Sequence, residues 1–274
     1  MIARFGHVST PQIAKRYFKG NSKNSQMASN LKKLEEAGYI HRFSLPSSSS
    51  TARNMPLVAT LTKKGAELIS NSQSIDIGKL HVLSPSDQPK AAYFEHLMDI
   101  NEVRVTLELA CEQQQCVLKW LDERTIRKHK LYDYVIVRGK QGKEEKTANI
   151  PDGFLTIKGK KGYLSFFLEV DRGTEPIAVI QQKAFVYVEY EKSTHYAKYF
   201  GAAGKTGGAA SLFVLLITSS AKRRENIVAT LKHAFTSQPL LCAAYPELTP
   251  QTVLTEPVWY APHLSDPIDL LSNQ

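Results

Sequence analysis

The stretch Phe167-Leu168-Glu169-Val170-Asp171-Arg172-Gly173-Thr174, with Ile150-Pro151-Asp152-Gly153-Phe154 ahead of it, decides how the larger part of the chain is read. Residues 150–157 and 163–171 read as two strands, and Gly159-Lys160-Lys161-Gly162 as the turn between them. Side chains alternate between the faces of a strand. Glu169 and Asp171 therefore share one face, and Leu164, Phe166, Leu168 and Val170 take the other. A turn at Lys160-Lys161 sets Asp152 opposite Glu169, and opposite residues share a face. A different loop length shifts that register by one or two. In the first register three carboxylates converge.

Carboxylates brought together repel one another and are costly to desolvate. A divalent cation or a positive partner neutralises them. Hard oxygen ligands suit Mg²⁺ or Mn²⁺, which retain waters and bind phosphate oxygens. Such a metal stabilises the charge that builds on a phosphodiester under attack. The expected metal ligands are Asp152, Glu169 and Asp171. Two plainer readings stand beside this one. Pro-Asp-Gly is an ordinary turn signature, and Glu169 and Asp171 can pair with Arg172, Lys183 or nearby lysines on a solvated face.

Outward from this hairpin, residues 91–114 read as a helix with Leu97, Ile100, Val103 and Leu107 on one stripe, and residues 117–121 as a short strand. Pro176 opens a helix to about residue 191. Residues 212–218 are a buried strand and 224–235 a final helix. The order is helix, three strands, helix, strand, helix. Gly201 to Gly208 is glycine-rich, but its spacing is not that of a P-loop and it precedes a strand instead of following one. The segment after Pro239 is punctuated by prolines and shows no pattern.

The first quarter differs in charge. Over residues 1–75 eleven Lys/Arg face three Glu, whereas over residues 76–274 twenty-four Lys/Arg face twenty-three Asp/Glu. Almost all of the net charge of +9 thus sits in the first part, as expected of a polyanion-binding module. Thr10 reads as an N-cap and Pro11 as the first residue of a helix over 12–18. Ser25 caps a second helix to Ala37, which Gly38 ends. In it Met27, Leu31 and Leu34 form the apolar face, opposite Gln26, Ser29, Asn30 and Lys33. Residues 39–45 and 57–62 read as a ribbon around a Ser-rich tip, and a third helix starts at Thr62.

This order, with Leu31-x-x-Leu34-Glu-x-x-Gly38-Tyr-Ile and Leu61-Thr-x-x-Gly65, resembles bacterial winged-helix regulators. The resemblance implies a helix in the major groove and a wing against the backbone. Gln26 and Asn30 are expected to meet base edges, with Ser29 on the same DNA-binding face. Lys32, Lys33, Arg42 and Arg53 are those expected to meet phosphates.

The acidic motif resembles the replication-relaxation family of bacterial plasmids and mobile elements. It does so through Pro151-Asp152-Gly153-Phe154, Phe167 to Thr174, then Lys183 and Tyr187, and through His96-Leu-x-x-x-Asn101-x-x-Arg104. The resemblance implies a role in plasmid relaxation, mobilisation or replication control, and a second domain of the restriction-endonuclease-like, PD-(D/E)xK type. That pattern places a lysine two residues after the second acid, where this chain has Asp171. Lys183 on the next helix is placed to replace it. The catalytic set so implied is Asp152, Glu169, Asp171 and Lys183. Glu95, Asp99 and Glu102 are further acids that such a fold can bring near the metal.

The expected fold class is α+β: a winged-helix domain over 1–75, a linker over 76–90, a restriction-endonuclease-like domain with a mixed sheet flanked by helices over 91–240, and a tail over 241–274. Two functions compete. One is a Mg²⁺- or Mn²⁺-dependent nickase acting on double-stranded DNA. The other is a non-catalytic DNA-binding accessory or regulator whose second domain dimerises or recruits a relaxase or replication protein. The longest apolar run, Leu212 to Ile217, is too short to span a membrane, and three cysteines without CxxC spacing suit a reducing cytoplasm.

Overall fold

Ser9, one residue before the expected cap, starts the first long helix. The computed structural model describes residues 1–18, 22–44, 56–82, 91–138, 144–160, 162–193, 196–200, 213–232 and 240–271. Ser9 lies at the end of a short strand, β1 (His7–Ser9), which follows a single helical turn, α1 (Ile2–Phe5). Its side chain accepts from Gln12 N, and Gln12 Oε1 accepts from Ser9 N, which completes a capping box on α2 (Thr10–Tyr17). Thr10 instead donates to the Leu57 carbonyl at 2.9 Å.

Next come α3 (Ser22–Glu36), β2 (Ile40–Ser44), β3 (Leu57–Leu61) and α4 (Lys63–Gln73). Gly38 ends α3 as expected, with φ +74°, Gly38 N on the Glu35 carbonyl and Tyr39 N on the Leu34 carbonyl. Thr62 caps α4 through Gly65 N at 3.1 Å. The sheet is antiparallel in the order β1-β3-β2. Ile13, Met27, Leu31, Ile40, Val58, Leu61 and Ala66 are buried. Leu34, expected with Met27 and Leu31, is 41 % exposed. All three line an apolar cavity of about 550 Å³ between the helices of this unit.

The long helix α5 (Ala91–Gln113) carries the division of the chain into two compact units, Met1–Val105 and Thr106–Gln274. The residues that carried the family resemblance on this helix therefore serve the first unit. Asn101 donates to the His7 carbonyl at 2.6 Å. Arg104 donates to the Arg4 carbonyl and lies 4.1 Å over the Phe5 ring. Lys15 pairs with Glu102 at 2.5 Å. The buried side of α5 is broader than one stripe: Val105, Leu109 and Ala110 are buried along with Ile100, Val103 and Leu107.

The second unit holds β4 (Val117–Asp122), α6 (Glu123–Lys128), β5 (Tyr134–Arg138), β6 (Glu144–Ala148), β7 (Gly153–Lys158) and β8 (Tyr163–Asp171). It continues with α7 (Ile177–Ser193), α8 (Tyr196–Phe200), β9 (Phe213–Thr218), α9 (Ala221–Lys232) and β10 (Leu240–Ala244). Among the described residues the main sheet has five strands in the order β10-β9-β8-β7-β4. The pairs β4–β7 and β7–β8 are antiparallel, and β8–β9 and β9–β10 are parallel. Each parallel step is made through a helix, as parallel neighbours require. Phe154, Phe167, Val214, Leu216 and Cys242 on one face of the sheet form a core with Ile180, Ala184, Tyr187 and Tyr190 of α7 and with Ile227 and Leu231 of α9.

Two segments are structured where the sequence showed no pattern. β5 and β6 form a separate two-stranded sheet between β4 and β7. After residue 239 the chain supplies β10, then packs Val253, Leu254, Trp259 and Leu270 into buried positions, with Trp259 Nε1 donating to the Val253 carbonyl. Cys111, Cys116 and Cys242 are all free thiols, two of them buried and Cys116 half-buried. Among the described residues no helix is long and apolar enough to cross a membrane. The glycine-rich segment 201–208 lies outside the described residues.

Candidate functional site

The hairpin β7–β8 has the register that sets Asp152 opposite Glu169. Gly153 pairs with Leu168 and Phe154 with Phe167, and Gly159 N meets the Gly162 carbonyl across the turn. One step beyond the ladder, Asp152 N donates to the Leu168 carbonyl and Asp152 Oδ2 accepts from Val170 N at 2.7 Å. Asp152 is thus held from both ends by the β8 backbone.

Glu169 is buried at the C-terminal end of the central strand. Two residues of α7, one turn apart, reach it. Tyr187 donates to Oε1 at 2.5 Å, and Lys183 Nζ lies 3.5 Å from Oε2 and 3.5 Å from Glu175. Burial, and then the neighbouring Asp152 charge, push the Glu169 carboxyl up to about 8, although Lys183 and the Tyr187 hydroxyl pull the other way. Burial also works against the Lys183 ammonium. Glu169 first, then Glu175 and Asp152, outweigh it and hold that group above its usual range. Burial, with Glu169 behind it, raises the Tyr187 phenol far above its usual value, so Tyr187 is a donor and not a nucleophilic phenolate. The Lys183 side chain is 46 % exposed and that of Glu169 10 %, which makes the lysine the outer and the glutamate the inner member of the cluster.

Asp171 shares the face of Glu169 but is engaged elsewhere. Arg223 grips it with two nitrogens, Thr218 Oγ1 donates at 2.7 Å and Gly173 N at 3.0 Å. These bonds outweigh the effect of burial and hold its carboxyl below the usual carboxylate range. The physical reason is the parallel pairing of β8 with β9, which sets Thr218 beside Asp171 and starts α9, bearing Arg223, three residues later. Among the described residues no group of three or more His, Cys, Asp or Glu is arranged to hold a metal ion. The expected trio is therefore a pair, Asp152 and Glu169, with Lys183 in attendance. Arg223 is the partner that sequence spacing did not assign, whereas Tyr187 stands one helical turn from Lys183. The helical offset from Lys183 was a signal for Tyr187, and no local signal pointed to Arg223.

In the first unit Gln26, Ser29, Asn30, Lys32 and Lys33 of α3 are all exposed. Lys32 Nζ lies 3.7 Å from Glu36. Arg42, expected at a phosphate, is committed to Glu35 on α3 through its backbone N–H and two guanidinium nitrogens. Burial raises the Glu35 carboxyl, and these bonds from Arg42 reverse the shift and lower it. Arg53 lies outside the described residues.

A helix-and-sheet unit with a polar, basic helix face, joined to a mixed-sheet unit in which a half-exposed lysine meets a buried acid and tyrosine at the end of the central strand, defines a two-unit α+β protein. No curated protein matches the chain. The chain belongs to the replication-relaxation family, whose model matches residues 1–205. That membership points to a plasmid replication-related role. The matched residues include Asp152, Glu169, Lys183 and Tyr187 and stop before β9, so Thr218 and Arg223 fall outside them.

Proposed function

We propose that the chain binds double-stranded DNA through a winged helix-turn-helix in its first unit and cuts one strand with a restriction-endonuclease-like second unit, relaxing plasmid or mobile-element DNA. The observation that carries this reading is the convergence of Asp152, Glu169 and Lys183. Lys183, reaching in from α7, supplies the cation that the D/E-x-K pattern lacks in β8. The helix, three-strand, helix, strand order around a mixed sheet supports the second-unit assignment. The exposed polar face of α3 and the charge excess of residues 1–75 support the first.

Asp152 and Glu169 suit Mg²⁺ or Mn²⁺. Both are hard oxygen donors; burial, and then the Asp152 charge, push the Glu169 carboxyl up to about 8, so a cation would displace the Glu169 proton on binding. When bound, the metal supplies Lewis-acid stabilisation of the phosphodiester charge. Lys183 neutralises charge on the phosphate oxygens and orients the attacking water. Tyr187 fixes the Glu169 carboxylate through Oε1, so that Oε2 is turned to Lys183. Hydrolysis forms a phosphorus–oxygen bond to water and breaks that to the leaving sugar oxygen, which releases supercoiling.

The test is a supercoiled plasmid incubated with the protein and Mg²⁺ or Mn²⁺. Glu169→Gln is expected to abolish nicking and leave duplex binding intact. Equal nicking by the variant and the parent overturns the site. One observation favours the second reading, a non-catalytic accessory or regulator that recruits a relaxase or replication protein: Asp171 stands in the place of the motif lysine and is tied to Arg223. On that reading neither protein nicks and both bind.

A further inference from the structure

We propose that Cys111 and Cys116, which meet across the C-terminal cap of α5, are a peroxide-reactive dithiol: Cys116 takes the oxidation and Cys111 closes it as a disulfide. The proposal is independent of the DNA-binding reading and of the acid pair on β8.

The stretch Cys111-Glu-Gln-Gln-Gln-Cys116 ends α5 and leads into β4. The helix closes there as a Schellman cap. Cys116 N donates to the Cys111 carbonyl at 2.9 Å and Gln115 N to the Glu112 carbonyl at 3.4 Å, and Gln115 takes the left-handed φ of +55°. Such a cap turns the chain back and sets the side chain beyond the turn against the one in the last helical turn, a contact that apolar residues ordinarily make. Here both are cysteines. Their thiols are hydrogen-bonded to one another, which is the approach that a disulfide needs.

The two thiols are unequal. Cys111 is 2 % exposed, whereas Cys116 is half-buried between exposed neighbours, Gln115 and Val117. Burial, and then the Cys116 thiol bonded to it, hold the Cys111 thiol above its usual range, with Glu108 and Glu112 adding to the shift. The thiolate is the reactive form and an oxidant arrives from solvent, so Cys116 reacts first and Cys111 second.

Hydrogen peroxide is the oxidant. The Cys116 sulfur bonds to one peroxide oxygen and the O–O bond breaks. The departing hydroxide takes up the thiol proton and leaves as water, and Cys116 is then a sulfenic acid. The Cys111 sulfur next bonds to the Cys116 sulfur, the S–O bond breaks, and hydroxide leaves with the Cys111 proton as a second water. One peroxide is reduced to two waters, and two thiols are oxidised to one disulfide. An accessible thiol by itself goes on to sulfinic acid, which a thiol reductant does not reverse. The pair stops at a disulfide, which a thiol reductant reopens. Cys242, fully buried in β10, is the internal control.

The experiment treats the full chain, reduced and then freed of reductant, with a small excess of hydrogen peroxide. The protein is then alkylated in denaturant, digested without reduction and read by mass spectrometry. The expected product is a peptide lighter by two hydrogen atoms with no alkyl group on Cys111 or Cys116, while Cys242 is alkylated. Dithiothreitol is expected to restore both thiols. Cys111→Ala is expected to carry Cys116 to sulfinic acid about tenfold faster than in the parent, and Cys116→Ser to slow the oxidation of Cys111 by about tenfold. Cys116→Ser leaves the core untouched, so it decides the order of the two steps even where Cys111→Ala is unstable. Sulfinic acid forming at Cys116 as fast in the parent as in Cys111→Ala overturns the proposal. So does a disulfide between two copies of the chain in place of the internal one, or oxidation of Cys111 at the parent's rate in Cys116→Ser.

Discussion

Tyr187 on α7 donates a 2.5 Å hydrogen bond to Glu169 at the end of the central strand, and both residues are buried. The tyrosine ring also packs on Phe167, with centroids 5.8 Å apart, so its position does not depend on the hydroxyl alone. Tyr187→Phe keeps that packing and removes the donor. It is expected to cost roughly 1–3 kcal/mol in denaturant unfolding. The cost is expected to be larger above pH 8 than at pH 6, because an ionised Glu169 is the stronger acceptor. A cost that does not change with pH would mean that the bond serves packing only.

Glu169 makes stability depend on pH in a definite direction. Its native carboxyl titrates at about 8, raised by burial and by Asp152, against 4.5 unperturbed. Between those values the native state holds a proton that the unfolded chain has lost. Stability from this group is therefore complete below about 4.5 and is lost as pH rises through about 8. With metal chelated, unfolding free energy is expected to fall across this window by an amount on the order of a few kcal/mol, and Glu169→Gln is expected to flatten the fall. Urea midpoints at steps from pH 5 to pH 9 measure it. Identical slopes for variant and parent would exclude Glu169 as the source.

The acid pair was legible because it depends on two short-range rules. The Gly159–Gly162 backbone bond closes the hairpin in the expected register, and strand alternation then puts Asp152 and Glu169 together. Helical spacing likewise carried Lys183 and Tyr187 as a unit. The fate of Asp171 was not legible, because its partners come from the β9–α9 junction about fifty residues on, beyond a long glycine-rich stretch. Nor was the β5–β6 ribbon. Glu144-Glu-Lys-Thr-Ala148 has no apolar alternation and is a strand only because Tyr134 to Arg138 pairs with it. α1 and β1 are too short for any periodicity, and their places are set by distant partners: β3 pairs with β1, and Asn101 and Arg104 of α5 donate to the His7 and Arg4 carbonyls.

The Arg223–Asp171 pair is expected to be a strong structural link. The two side chains are 17 % and 2 % exposed, and Asp171 has Thr218 and Gly173 as further donors. Removing the arginine leaves a buried carboxylate short of its only guanidinium. Arg223→Ala should lower unfolding free energy at pH 7 by about 3 kcal/mol. Arg223→Lys should restore only part of that, because a lysine cannot make the two-nitrogen contact. The Asp171 carboxyl is held low, so its contribution is present above pH 3.8 and is lost as pH falls through its native value. The gap between parent and variant should close in strong acid. A gap of the same size at every pH would assign the loss to packing of the arginine stem.

Gly38 ends α3 and Gly65 lies in the first turn of α4, and they are expected to respond very differently to a methyl group. At Gly38, φ is +74° and an added Cβ meets only the Lys64 Cδ at 3.8 Å, so Gly38→Ala should cost about 1 kcal/mol of backbone strain. At Gly65 an added Cβ would stand 2.0 Å from the Tyr39 carbonyl oxygen, which is backbone and cannot turn aside. That carbonyl also accepts from Thr62 N, which ties the end of β3 to the end of α3. Gly65→Ala must push α4 off the sheet, and it should cost more than about 3 kcal/mol. On the DNA-binding proposal it should also weaken duplex binding well beyond the effect of Gly38→Ala. Far-UV circular dichroism melts of the two variants side by side decide it, and equal melting temperatures would show that α4 does not seat against Tyr39 as described.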